Sequence, residues 1–243
     1  LSRPLAGCHV VVTRPEGQQA GLCRELETLG ARVTPFPTVA FESLAPGTVP
    51  AADWAVFTSP NAVRYGLPWL ARLPSRVAAV GPGTAAALAA AGCPVTVAPA
   101  RGGGADDLLA EPGFAPAPGE TVLVLRGEGG RRRLQAALAA RGVRVGEAVV
   151  YRRVLPPAPA APDWQDRERA FTIVTSVTGL ENLLRLTDEG ARPLLMASRV
   201  VAVSARVAAA ARAAGFSEPV LAEGADDAAV VAAVVGAATG SER

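Results

Sequence analysis

Two pieces of the 243-residue chain occur twice, and their order differs between the copies. Val11-Val12-Thr13-Arg14-Pro15-Glu16-Gly17 is matched by Val124-Leu125-Arg126-Gly127-Glu128-Gly129. Leu29-Gly30-Ala31-Arg32-Val33 is matched by Arg141-Gly142-Val143-Arg144-Val145, and 142 − 30 = 112 is also the spacing of Arg14 and Arg126. The second piece pairs Phe57-Thr58-Ser59-Pro60-Asn61 with Val174-Thr175-Ser176-Val177-Thr178, and Arg76-Val77-Ala78-Ala79-Val80 with Arg199-Val200-Val201-Ala202-Val203. It continues with Pro94-Val95 against Pro219-Val220 and Ala105-Asp106-Asp107 against Ala225-Asp226-Asp227. In the middle of the chain the Thr-Ser piece comes before the Arg-Gly piece. In the outer copy the Arg-Pro piece opens the chain and the Thr-Ser piece resumes only near residue 171. A permuted repeat of this kind is the trace of two similar domains, one inserted into the other. Domain one is expected over 1–37 and 163–243, and domain two over 44–150. The connections, 38–43 and 151–162, both read as extended strands able to pair, the second running into the stiff Leu155-Pro156-Pro157-Ala158-Pro159-Ala160-Ala161-Pro162.

Within each copy, short β-branched runs alternate with Ala/Leu/Arg-rich stretches of helical spacing. His9-Val10-Val11-Val12-Thr13 precedes a helix expected from Glu16 to Leu29, and Gly92, Gly142 and Gly215 sit where later helices stop. Strands apolar along their whole length, alternating with helices, mean parallel sheets covered on both faces. The expected fold is α/β: two flavodoxin-like or Rossmann-like parallel-sheet domains joined by a two-stranded β connection. In such lobes ligands bind outside the carboxyl ends of the strands, with a cleft between lobes as the default place.

Composition removes whole chemistries. All 24 basic residues are arginine, which excludes a Schiff-base lysine, a pyridoxal anchor and a Walker-type phosphate lysine. His9, the single histidine, lies in the apolar run Cys8-His9-Val10-Val11-Val12 and cannot supply a multi-His metal site, so no metal is expected. Cys8, Cys23 and Cys93 are odd in number and lack Cys-x-x-Cys spacing, which points to a reducing compartment and a cytoplasmic location. Against 22 acidic residues the net charge is +2, too even for a dedicated nucleic-acid binder. The longest uncharged stretch, Val77 to Ala100, is broken by Gly81-Pro82-Gly83, Gly92 and Pro94, so no membrane span is expected. The opening Leu1-Ser2-Arg3-Pro4 lacks the apolar core of a signal peptide.

Four constellations could carry chemistry. Leu125-Arg126-Gly127-Glu128-Gly129-Gly130-Arg131-Arg132-Arg133 follows a strand and opens a helix. Its glycines permit close backbone approach and its arginines offer forked donors, the makings of a carboxylate or phosphate cradle. Its bland alternative is a tight turn with a solvated helix face. The turns Thr58-Ser59-Pro60-Asn61 and Thr175-Ser176-Val177-Thr178 suit helix capping, and their amides and hydroxyls are also available to a ligand. Val80-Gly81-Pro82-Gly83-Thr84-Ala85 resembles a relaxed dinucleotide fingerprint, but the acidic residue after the next strand is missing from Val95-Thr96-Val97-Ala98-Pro99. A cap with a ligand-facing Thr84 hydroxyl is the better reading. Tyr151-Arg152-Arg153 puts one of only two tyrosines at a crossing, where a phenol can donate a proton or simply pack. Asp106-Asp107 and Asp226-Asp227 read as helix-dipole partners.

Taken in order along nearly the whole chain, Phe57-Thr58-Ser59-Pro60-Asn61-Ala62-Val63, Val80-Gly81-Pro82-Gly83-Thr84-Ala85, Leu125-Arg126-Gly127-Glu128-Gly129-Gly130-Arg131, Val150-Tyr151-Arg152-Arg153-Val154 and Val203-Ser204-Ala205-Arg206-Val207-Ala208 resemble the uroporphyrinogen-III synthase family. The family's interleaved two-domain fold matches the permuted repeat. The resemblance implies hydroxymethylbilane, a linear tetrapyrrole with eight carboxylates, as the small-molecule substrate, and no cofactor or metal. It implies loss of the substrate hydroxyl as water and ring closure with inversion of the last pyrrole through a spirocyclic intermediate. Catalysis is then largely positioning, because the pyrroles supply the reactivity. Tyr151 matches the family tyrosine and would assist hydroxyl departure; Thr84 matches a family threonine. Arg14, Arg126 and Arg131, with the amides around Gly127, Gly129 and Gly130, are carboxylate holders on this reading, so Arg126 should set substrate affinity more than turnover. Thr58, Ser59, Asn61, Ser176 and Thr178 add amides and hydroxyls. Some family members carry a Gly-Pro-Thr-Thr type turn where this chain has Ser204-Ala205-Arg206-Val207, so that threonine contact does not transfer and Ser204 or Arg206 is left to replace it. The resemblance also admits transient contact with the preceding pathway enzyme. From other classes, a two-lobed cytosolic binding protein or sensor for an anionic small molecule suits the topology, and a nucleotide-dependent transferase fails on the missing acidic residue.

Overall fold

The computed structural model describes residues 3–70, 74–157, 162 and 169–240. The chain divides into two compact units, Leu1–Ala40 with Val154–Arg243, and Phe41–Arg153. The expected boundary at residue 163 and residues 158–161 of the proline-rich segment lie outside the described residues.

The chain opens with β1 (His9–Val12), buried along its whole length as a central parallel strand must be. Helix α1 (Ala20–Thr28) follows, starting at Ala20 rather than at Glu16. Gly17 takes a φ of +78° and the Gln18 N–H returns to the Pro15 carbonyl at 3.0 Å, so a left-handed turn occupies the expected first helical turn. Then come β2 (Arg32–Pro35), β3 (Ala40–Ser43), β4 (Trp54–Phe57), α2 (Pro60–Gly66) and β5 (Arg76–Ala79). Next are α3 (Pro82–Ala90), α4 (Ala105–Ala110), β6 (Thr121–Gly127), α5 (Arg133–Ala140) and the long β7 (Arg144–Val154). The remainder is β8 (Ala170–Val174), α6 (Val177–Leu186), α7 (Arg192–Ala197), β9 (Arg199–Ala202), α8 (Ala205–Ala213), β10 (Val220–Leu221) and α9 (Asp227–Thr239).

The first sheet runs β10-β9-β8-β1-β2 with parallel pairing throughout. The second runs β3-β7-β6-β4-β5 and is parallel from β7 to β5, with Val97 adding a parallel bridge to Ala78. Their registers coincide. His9 opposite Arg32 is repeated by Thr121 opposite Arg144, Val10 opposite Phe171 by Val122 opposite Trp54, and Phe171 opposite Arg199 by Trp54 opposite Arg76. Even a cation–π contact is shared, Arg76 standing 4.7 Å over Trp54 and Arg199 5.8 Å over Phe171. The counterpart of Val220 is Val97, two positions beyond the Val95 that sequence matching aligns with it. The connecting strands β3 and β7 are neighbours, and they extend the second sheet instead of standing apart from it: the Leu44 N–H donates to the Val150 carbonyl at 2.9 Å.

Each sheet is buried on both faces. The first packs Leu22 and Leu26 of α1 with Val230 and Val234 of α9 on one side, and Leu180 and Leu183 of α6 with Val207 and Ala211 of α8 on the other. The second packs α2 and α3, through Val63 and Leu88, on one side, and α4 and α5, through Leu108, Leu134 and Leu138, on the other. Caps are supplied at both Thr-Ser turns, as expected, and also by Ser204 and Asp226. Ser59 accepts from the Ala62 N–H at 3.0 Å, Ser176 from Gly179 at 2.9 Å, Ser204 from Val207 at 3.3 Å, and Asp226 from Ala229 at 3.0 Å. Cys8, Cys23 and Cys93 are free thiols, and burial pushes the Cys23 thiol pKa up.

Phe57 is fully buried at the carboxyl end of β4. Phe57→Ala should destabilise the protein by about 3–5 kcal/mol, read as a shifted midpoint in guanidinium unfolding.

Candidate active site

In the second sheet β4 and β6 are adjacent, with Phe57 opposite Leu125, yet the chain leaves them toward opposite faces, α2 on one and α5 on the other. Two strands that part in this way open a crevice at their carboxyl ends. A cavity of about 550 Å³ lies there. Its walls are Thr58 and Ser59 after β4, the Arg126–Arg131 loop after β6, Gly103 to Asp107 at the start of α4, and Tyr151 and Arg153 of β7. That volume suits a sizeable small molecule.

Tyr151 is placed by an irregularity. Along β6 and β7, Arg126 stands opposite Val149 but Gly127 stands opposite Tyr151, so Val150 is an extra residue. Such a bulge re-aims every side chain beyond it. Ala148, Val150 and Tyr151 consequently share one core with α2 and α3, and Tyr151 is only 3% exposed. Its ring is held by Phe41 at 5.6 Å, edge-on, and by Tyr65 at 5.7 Å. Its hydroxyl lies 3.0 Å from Ser59 Oγ, the atom that also caps α2. Beneath it is Gly127, where a Cβ would stand 2.5 Å from Tyr151 Cζ and 2.9 Å from its hydroxyl oxygen, so this close approach requires glycine. The next residue fastens the same place: the Glu128 N–H donates to the Tyr151 carbonyl at 2.7 Å.

The cationic groups divide into committed and available ones. Arg126, 13% exposed, donates through Nε to Glu147 Oε2 at 2.6 Å and through Nη1 to the carbonyls of Gly127 at 3.0 Å and Gly129 at 2.6 Å. Arg133 is paired with Asp106. Arg152, on the opposite face from Tyr151, forks onto Glu42 at 2.9 and 3.1 Å, and that carboxylate raises its pKa further. Among the described residues Arg131 and Arg153 line the cavity with no ion pair.

At the corresponding end of the first sheet, Arg14 is paired with Asp227 and donates to the Ala225 carbonyl at 2.8 Å. Ser176 and Ser204 cap α6 and α8, while Thr178 and Arg206 are exposed in the first turns of those helices. Thr58 spends its hydroxyl on the Leu125 carbonyl at 3.0 Å, tying the end of β4 to β6. Thr84 is buried in the first turn of α3, whose cap is Gly81, and is not part of the cavity wall; nor is Asn61, in the first turn of α2.

The sequence model described as uroporphyrinogen-III synthase HemD matches residues 21–232. The chain belongs to the uroporphyrinogen-III synthase family. It is accordingly a lyase of porphyrin biosynthesis. It is 30% identical to the uroporphyrinogen-III synthase of Escherichia coli (strain K12), an alignment covering 93% of this chain and 99% of that protein. Of solved structures in the family, that from Helicobacter pylori 26695 superposes with a TM-score of 0.64 at 17% identity, covering 93% of this chain and 97% of that one. A mutant of the enzyme from the extremely thermophilic bacterium Thermus thermophilus gives 0.55 at 20% identity, covering 97% and 100%. Both share the fold. Among the described residues no helix is long and apolar enough to cross a membrane, and no group of three or more His, Cys, Asp or Glu side chains could hold a metal ion.

Gly103, Arg153 and Gln135 line this cavity and Glu147 pairs with Arg126, and none of the four is among the sequence candidates. The run Arg101-Gly102-Gly103-Gly104 was a visible signal: Gly103 lines the cavity and donates to Asp107 Oδ2 at 2.8 Å. Arg153 follows Tyr151 by two positions on a strand, which places both on one face. Glu147 and the buried Gln135 carried no signal, being single polar residues in a strand and a helix. Gly127→Ala should lower turnover at least about 10-fold by displacing the Tyr151 ring, in steady-state kinetics on a protein whose unfolding midpoint is checked in parallel.

Proposed function

We propose that the chain converts hydroxymethylbilane to uroporphyrinogen III, with the second unit's crevice as a reaction site and Tyr151 as the group that assists departure of the hydroxyl. The observation that carries this reading is the phenol itself: buried, held between two rings, and hydrogen-bonded to a serine oxygen already fixed by a backbone N–H. A phenol so restrained can donate to the leaving hydroxyl at a fixed point without reorganising. Loss of that hydroxyl as water leaves the terminal carbon of the bilane electron-poor. The substituted carbon of the last pyrrole attacks it, and rearrangement of the spirocyclic product inverts the ring. The protein's contribution is to favour that attack over direct closure, which yields the type I isomer.

The substrate's carboxylates need donors. Arg131, Arg153 and the amides of Gly127, Gly129 and Gly130 supply them in the second unit, with Ser59 beside the phenol and Thr58 in the same cavity wall. In the first unit Ser176, Thr178, Ser204 and Arg206 are assigned as carboxylate donors at the carboxyl ends of their own sheet, while Arg14 is committed to Asp227 and the Ala225 carbonyl. A substrate that closes spontaneously favours direct transfer from the preceding pathway enzyme in the cytoplasm, and transient contact with that enzyme is part of the proposal.

Purified protein given freshly made hydroxymethylbilane should yield the type III isomer after oxidation and isomer separation; a product consisting of type I alone would refute the reading. Tyr151→Phe should slow turnover by about 10-fold or more. Unchanged turnover in that variant reduces Tyr151 to a packing residue.

A further inference from the structure

We infer that Glu147 is a positioning residue for this reaction: it holds the Arg126 guanidinium, and through it the glycine loop that forms the floor under Tyr151. The inference deepens the proposed function and rests on that reading. Gly129 and Gly130 are consecutive residues with φ of +74° and +83°, a conformation that glycine permits but does not enforce. Something outside the loop must hold it. Arg126 does so with Nη1, which reaches the carbonyls of both Gly127 and Gly129. Arg126 is itself oriented by Glu147, whose Oε2 accepts from Nε at 2.6 Å. The same carboxylate takes Arg132 Nη2 at 3.2 Å on Oε1 and Gln135 Nε2 at 3.5 Å on Oε2. One carboxylate thus gathers donors from β6 before the loop and from the start of α5 after it.

The fold does not require this carboxylate. The first sheet repeats the register, and opposite Val12, the counterpart of Val124, it carries Pro35 where the second carries Glu147. There Arg14, the counterpart of Arg126, finds Asp227 and the Ala225 carbonyl instead. The same strand pair is therefore built without an acid at this position, and Glu147 accompanies the glycine loop rather than the sheet. Glu147 and Arg126 lie on the face of the sheet turned toward α5, while Tyr151 lies on the face turned toward α2, so Glu147 acts through the loop and touches neither the phenol nor Ser59.

A double-mutant cycle tests this with hydroxymethylbilane as substrate. Glu147→Gln, close in shape, should lower kcat about 10-fold or more with KM moved much less, because a displaced floor costs geometry in the transition state. Arg126→Gln should do the same, reversing the affinity role expected from sequence because its Nε and Nη1 are spent on Glu147 and the loop carbonyls, and the double variant should be no slower than the slower single variant. In Glu147→Gln, amide exchange across residues 128–130 should quicken while the amides of β4 and of β6 keep wild-type protection. Unchanged kcat, a change confined to KM, multiplying losses in the double variant, or unaltered loop exchange would each overturn the assignment. Wild-type protein yielding only the type I isomer would instead overturn the reaction, and the exchange measurement would then decide Glu147's hold on the loop by itself.

Discussion

The pairing of β4 with β6 is the constraint on which the site depends. These strands are remote in sequence, meet in parallel with Phe57 opposite Leu125, and are buried on both faces. A slip of one residue would reverse every side chain between the two cores, so the register is strongly specified. Thr58 seals the pairing at its carboxyl end, giving both its N–H and its hydroxyl to the Leu125 carbonyl at 3.1 and 3.0 Å. Because the chain then departs to α2 from one strand and to α5 from the other, the crevice is a consequence of the connection pattern, and the Ser59 cap and the Gly127 loop are delivered to its two sides.

Around that crevice the arginines have unequal duties. An arginine with its Nε and Nη1 bonded inside the protein, as Arg126 has, shapes the backbone, and burying it without Glu147 would leave an uncompensated charge. Arg131 and Arg153, with their side chains toward solvent and cavity, are suited to meet carboxylates arriving from outside. The absence of lysine is consistent with this division, since a planar fork can hold two loop carbonyls or a carboxylate in a defined geometry and a point charge cannot.

The two sheets show how a repeated scaffold can be specialised. Strand order, register and even the arginine stacked on an aromatic ring are shared. Proline in one copy and glutamate in the other at the same register position, and an arginine bound to a helix start in one and to a glycine loop in the other, are differences that the scaffold tolerates because Pro35 is exposed and Glu147 only part-buried.

The sequence by itself determined the architecture. Apolar runs without polar alternation demanded sheets covered on both faces, and the order of the repeated pieces stated which copy was interrupted. It also placed Tyr151, Ser59 and the glycine loop among the candidate residues, because strand-ending serines and glycine-rich turns have strong local chemistry. It put the first helix at Glu16, since nothing in Pro15-Glu16-Gly17 forbids a helical start until Gly17 is seen with positive φ. Only the tertiary structure decided what these residues do to one another. The bulge at Val150 turns Tyr151 onto the face of Ser59 and Gly127, and bulges depend on the partner strand rather than on local sequence. The engagement of Arg126 by Glu147 was likewise illegible, since an ion pair between neighbouring strands follows from register, and register exists only once the sheet is formed.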